Sequence, residues 1–298
     1  MTAGSIISGG FALVRDRPGA VAIWGLVYLL MIAGMGLLMV TQFGDQLTQL
    51  ADPAAAAAVV GAMIGQMLLL NLLFFIVFVV LLTAAQRAVL HPERSGFAYL
   101  RLGLDEVRMV LLGIFLAILF YVGVVVASLA VVAVGAVAAV ATGSGLAAVI
   151  VIPATIAVIV LALWFMVRLS LAFPLTLLRG RFVFAESWRV TRGRSWSLLG
   201  GFLAVFLIMI VISVIAGLIT SGGYFAALMK HGLNPEGMRI AAQEQLTGQF
   251  GSVSVMTVVG WIVSAAAGAI GIAVYGGALA TAARELTIEE QDVSERFA

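Results

Sequence analysis

Residues 109–140 carry no charged side chain, and neither do the runs at about 20–41, 54–86, 146–167, 198–220 and 253–283. A helix rises about 1.5 Å per residue, so about 20 apolar residues cross a hydrocarbon core roughly 30 Å thick. Each of the six runs reaches that length. In hydrocarbon every backbone N–H and C=O must be satisfied internally, which leaves helices and closed barrels. Barrel strands read as roughly ten-residue alternating segments, unlike these continuous runs. The chain is therefore expected to be an all-α integral membrane protein with six transmembrane helices.

Composition agrees with that reading. Hydrophobic residues make up 63% of the chain and charged residues 10%, against roughly 25% charged in soluble domains. The absence of cysteine excludes disulfides, thiolate nucleophiles and cysteine-ligated metals. Arginine supplies every basic residue except Lys230, in an alanine- and glycine-rich background that points to a high-GC bacterium and its inner membrane. The opening MTAGSIISGGFALVRDRPGA is too long and polar for the n-region of a cleavable signal, so the first span is expected to stay in the protein.

The polar connections carry the remaining information. Ile7, Phe11 and Val14 recur at helical spacing before Arg15, Asp16 and Arg17, which predicts an amphipathic interfacial helix broken at Pro18-Gly19. Phe97, Leu100, Leu104 and Val107 form one stripe and Arg101, Asp105 and Arg108 another, which predicts a second such helix. The stretch 41–52 has two aspartates and no basic residue, ATGSG joins spans three and four, and Pro153 predicts a kink in span four. In the 221–252 excursion, Asn234-Pro235 suits the N-cap and first turn of a short helix through Leu246. Residues 285–298 form an acidic tail.

Orientation follows from the arginines. With a cytoplasmic N-terminus, the inner segments hold Arg15, Arg17, Arg87, Arg94, Arg101, Arg108, six arginines from Arg168 to Arg194, Arg284 and Arg296. Only Lys230 and Arg239 fall outside, and basic residues of short loops stay in the cytoplasm. Both termini are expected there.

Three segments share an order of elements: FALVRDRPGAVAIWGLVYLL from Phe11, FAYLRLGLDEVRMVLLGIFL from Phe97 and FAESWRVTRGRSWSLLGGFL from Phe184. Each places an arginine-bearing interfacial segment before an odd-numbered span. One membrane domain over 1–298 is expected, built as three hairpins with repeats at 7–87, 93–168 and 182–284. Within the spans, Gly61 with Gly65, and Gly260 with Ser264 and Gly268, have the small-residue spacing that lets helix backbones approach.

Reactive chemistry is sparse. His91 and His231 fall on opposite sides of the membrane in this topology, and Asp105-Glu106 beside arginines reads as a solvated, ion-paired face. No span holds an ionisable residue at its centre, which disfavours a proton- or sodium-driven carrier. Gln66 and Asn71 in span two read as interhelical hydrogen-bonding groups. No catalytic residue, cofactor, metal or nucleic-acid site is assigned.

What remains is RLSLAFPLTLLRGRFVFAESWRVTRGRSWSLLG, from Arg168 to Gly200. Trp188 and Trp196 suit the interface, where the ring is buried and the N–H stays wet. Arg179, Arg181, Arg189, Arg192 and Arg194 suit an anionic leaflet, at about 1 kcal/mol each. Their other role is to fix topology. The run from Trp188 to Trp196 with its preceding RLSLAFPLTLLRGRFVFAES resembles the membrane region beside glycerophosphoryl diester phosphodiesterase domains in bacterial polytopic proteins. That resemblance implies a six-span membrane fold. In those relatives the phosphodiesterase is a separate soluble domain with its own acidic metal site, so it does not carry the activity over.

The expected function is non-enzymatic: an inner-membrane protein binding anionic lipid or a membrane partner through its Arg/Trp-rich cytoplasmic face. A permease or lipid-translocating protein with a pathway between the hairpins is one alternative. An accessory subunit of a larger complex, suggested by the glycine ladder of span six, is another, and the partner expected is a membrane protein or a second copy of the chain.

Overall fold

The computed structural model describes residues 2–38, 40–41, 53–93, 95–142, 144–250 and 253–296; the expectations for Arg94 and for most of the 41–52 stretch lie outside these residues. The described residues form eleven α-helices. They are α1 (Ala3–Asp16), α2 (Pro18–Leu38), α3 (Pro53–Leu90), α4 (Leu104–Thr142), α5 (Ser144–Leu169), α6 (Ala172–Arg179), α7 (Phe184–Val190), α8 (Ser195–Thr220), α9 (Gly222–His231), α10 (Pro235–Phe250) and α11 (Val255–Arg296). Six of them, α2, α3, α4, α5, α8 and α11, are long and apolar enough to cross a membrane.

The centre of the molecule is α11. It packs along α1, α2, α3, α8 and, at its far end, α6. Small residues make this possible. A Cβ on Gly268 would lie 2.5 Å from the Tyr28 ring of α2, and one on Gly276 would lie 2.6 Å from the Ala85 methyl of α3. Ala269, Ala273, Ala278, Ala282 and Ala283 are buried along the same helix. The hairpin picture needs revision here. The helices α2 and α3 touch little beyond the Tyr28–Phe74 ring contact at 5.5 Å, because α11 packs against both. By contrast α4 and α5 pair along their length, joined to the rest through α3, α6, α7 and α8.

The expected amphipathic helix at Phe97–Val107 does not form. Phe97–Tyr99 is one 3-10 turn, and α4 starts only at Leu104. Ala98 and Tyr99 take left-handed backbone angles, at φ 49° and 61°. That reversal sends Tyr99 inward, to 2% exposure, and leaves Phe97 and Leu104 outside. A helix does form at the first of these segments, capped at Thr2 and Ser5 by reciprocal hydrogen bonds. Its most buried face is Ile6, Gly10 and Leu13, one residue round from the predicted Ile7, Phe11 and Val14 stripe. Against α11 the glycine matters more than the neighbouring apolar side chain.

At the other end of the bundle, Asn234 caps α10 as predicted, with Gly237 N–H donating to its Oδ1 at 2.7 Å. This helix continues past the expected Leu246 to Phe250, and α5 continues through Pro153.

Candidate functional site

The Arg168–Gly200 segment is built from two short helices between two spans. Gly180 and Gly193, at φ 64° and 82°, supply the left-handed turns that end α6 and lead into α8. Between them the side chains divide into two sets.

The first set holds the segment together. The Arg168 guanidinium lies 5.3 Å from the Trp164 ring and 5.4 Å from the Trp188 ring, and its Nη1 donates to the Trp188 carbonyl at 3.3 Å. Its own carbonyl accepts from Ser187 Oγ at 2.9 Å. Trp188 meets Trp164 and Phe165 edge-on, at 5.1 and 5.9 Å. These contacts tie the end of α5 to α7, and each cation–π contact contributes about 0.5–2 kcal/mol. Arg179 is committed as well: its Nη2 and Nε meet Glu186 Oε1 at 2.8 and 2.9 Å, linking α6 to α7. Trp188 and Arg179 thus brace the segment while both stay exposed.

The second set points outward. Arg181, Arg189, Arg192 and Arg194 are all exposed. Trp196 is 83% exposed, and Phe182 is exposed beside Arg181. Charged tips next to uncovered aromatic rings on one rim form the composition of a membrane–water boundary.

A second cluster at the same end escaped the sequence reading. Arg87 of α3 and Glu106 of α4 form a salt bridge at 3% and 4% residue exposure. Arg87 Nη1 donates to the Tyr99 carbonyl at 2.7 Å, and Glu106 Oε2 accepts from Gly103 N–H at 3.0 Å. The same turn is fixed from α2, where buried Trp24 donates from Nε1 to the Ala98 carbonyl at 2.9 Å. So Glu106 is not part of a solvated face; only Asp105, paired with Arg108 at 3.1 Å, matches that expectation. Both groups are engaged in holding this turn. The signal that would have found it is the single acid that α4 cannot turn to solvent.

The small residues also divide. Gly268 and Gly260 sit at helix contacts, Gly260 with its nearest neighbour Thr220 of α8 at 3.6 Å, and Ser264 between them is half-buried. Gly61 and Gly65 instead have no neighbour within 4 Å among the described residues. Asn71 donates to the Met67 carbonyl of its own helix at 2.8 Å and is exposed, rather than bonding across helices. Among the described residues no cluster of acids and histidines has the makings of a metal site. His91 lies beside Glu93, and His231 meets Glu244 at 3.0 Å in the α9–α10 region. No protein-family model, curated protein or solved structure matches the chain.

Proposed function

We propose that the protein is a non-enzymatic, multi-pass inner-membrane protein that docks anionic lipid headgroups on the outward set Arg181, Arg189, Arg192 and Arg194. Trp196 sets the depth of that rim, and the basic end faces the cytoplasm. The observation that carries the reading is the pairing of four exposed arginines with a tryptophan left 83% uncovered on one short segment. Arginine presents a planar fork of donors that matches phosphate oxygens, and the cytoplasmic leaflet is the anionic one.

The test is charge reversal at Arg189, Arg192 and Arg194 together, with replacement by lysine as control. At about 1 kcal/mol each, the three arginines account for about 3 kcal/mol, or roughly a hundredfold in affinity. Co-purifying phosphatidylglycerol or cardiolipin per folded molecule should fall in the reversed variant and persist in the lysine variant. Unchanged lipid content with reduced membrane insertion would leave these arginines a topogenic role alone.

A second reading, an accessory subunit or homo-oligomer, draws on α3. There Gly61 and Gly65 have no neighbour within 4 Å among the described residues, and Leu68, Leu69, Leu72 and Leu73 are exposed. A detergent-stable dimer lost on Gly65→Leu would move the assignment there.

A further inference from the structure

A cavity of about 530 Å³ opens between α1, the end of α3 and the Thr281–Glu285 stretch of α11. None of its lining comes from the Arg168–Gly200 segment. It exists because α1 is held backbone-close to α11. A Cβ on Gly9 would lie 2.3 Å from Thr281 Oγ1, and one on Gly10 would lie 2.6 Å from the Val274 carbonyl oxygen. With that glycine face pinned, the polar flank of α1 lines the opening. Ser5, Ser8, Arg15 and Arg17 come from α1 and its end, and Thr281 and Arg284 from α11.

The charges in this lining do not cancel. Two carboxylates, Asp16 and Glu285, face three guanidinium groups. Arg15 Nε donates to Asp16 Oδ1 at 2.8 Å, and that hydrogen bond holds Asp16 below the usual carboxylate range, so it stays anionic and occupied. Glu285 accepts from Ser5 Oγ at 2.9 Å. Arg17 lies over the Tyr99 ring at 5.7 Å and adds a weaker charge attraction to Asp16, while the Arg15 contact is the direct ion pair in this lining. The lining thus carries one positive charge in excess, with the Arg17 and Arg284 forks outside the Arg15–Asp16 pair and the Thr281 hydroxyl in the same lining.

We propose that this cavity binds a phosphate group, borne either by a phospholipid or by a soluble anion. Its volume lies within the roughly 300–1,000 Å³ of small-molecule sites. Guanidinium–phosphate pairs are among the stronger charge-assisted hydrogen bonds. The site is separate from the rim of exposed arginines and stands without it.

The experiment uses the purified full chain, with inorganic phosphate titrated in detergent and phosphatidylglycerol offered in nanodiscs and counted by native mass spectrometry. The variant R17Q/R284Q removes the two guanidinium groups outside the Arg15–Asp16 pair. S8F fills the cavity mouth while leaving them, and so decides the matter if the double variant fails to fold. R189Q/R192Q/R194Q removes the other rim and should leave this site intact. At least one probe should bind the natural protein and bind R17Q/R284Q and S8F at least tenfold more weakly. Loss confined to phosphatidylglycerol identifies a lipid headgroup, and loss of inorganic phosphate a soluble anion. Binding of neither probe, binding unchanged in both R17Q/R284Q and S8F, or loss seen only in R189Q/R192Q/R194Q would overturn the proposal.

Discussion

Replacing Glu106 with leucine leaves the Arg87 guanidinium buried with one partner, the Tyr99 carbonyl, where it had two. Removing one member of a buried pair costs about 3–5 kcal/mol, because the other charge stays desolvated. At about 1.4 kcal/mol per power of ten, that is two to four decades in the folding equilibrium. Arg87→Met should cost about as much, from the other side. The double variant R87M/E106L carries no stranded charge; it loses only the hydrogen bonds to Tyr99 O and from Gly103 N–H, at about 1 kcal/mol each. It should therefore be more stable than either single variant, with a coupling energy above about 2 kcal/mol in the cycle. Reversible unfolding in mixed micelles, followed by tryptophan fluorescence, measures all four proteins, and buried Trp24 reports directly on the turn. A cost below about 1 kcal/mol for Glu106→Leu, or additive single changes, would mean that water reaches the pair and that the turn is held by something else.

Two further tests address packing and orientation. Gly9→Val should release α1 from α11, since its Cβ has nowhere to go, whereas Gly61→Val should change monomer stability by no more than about 0.5 kcal/mol; the same micelle titration compares them. The chain has no cysteine, so one introduced at Gln245 should react in intact cells with an impermeant maleimide while one at Ser95 stays unlabelled, and labelling at Ser95 alone would invert the topology.

The spans were legible because crossing hydrocarbon is a one-dimensional requirement, satisfied residue by residue along the chain. Their arrangement was not. A helix such as α8 is apolar all round, so its sequence does not mark which side meets α11. Gly61–Gly65 and Gly260–Gly268 have comparable spacing, yet only the second group meets neighbouring helices. In the candidate site, Arg181, Arg192 and Trp196 read correctly as outward groups. Trp188 is exposed as well, but its bracing contacts were not legible, because its partners Trp164 and Arg168 lie one short helix away, brought back by the glycine turn at Gly180. Glu106 looked solvated because its partner is 19 positions away, across a turn set by left-handed Ala98 and Tyr99. Neither of those two residues announces such a conformation.

The central position of α11 has a consequence for how the chain is made. Five elements pack on a helix that emerges from the ribosome after all of them, and Ser5 finds Glu285 across 280 positions. Until that helix inserts, α1 has no glycine-lined seat, and Tyr28 of α2 and Ala85 of α3 face lipid or water where a close-packed backbone will later stand. Contacts so distant in sequence carry a large loop-closure cost and form late. The pair α4–α5 can form before that helix is made, whereas α1, α2, α3 and α8 must wait for the partner they share.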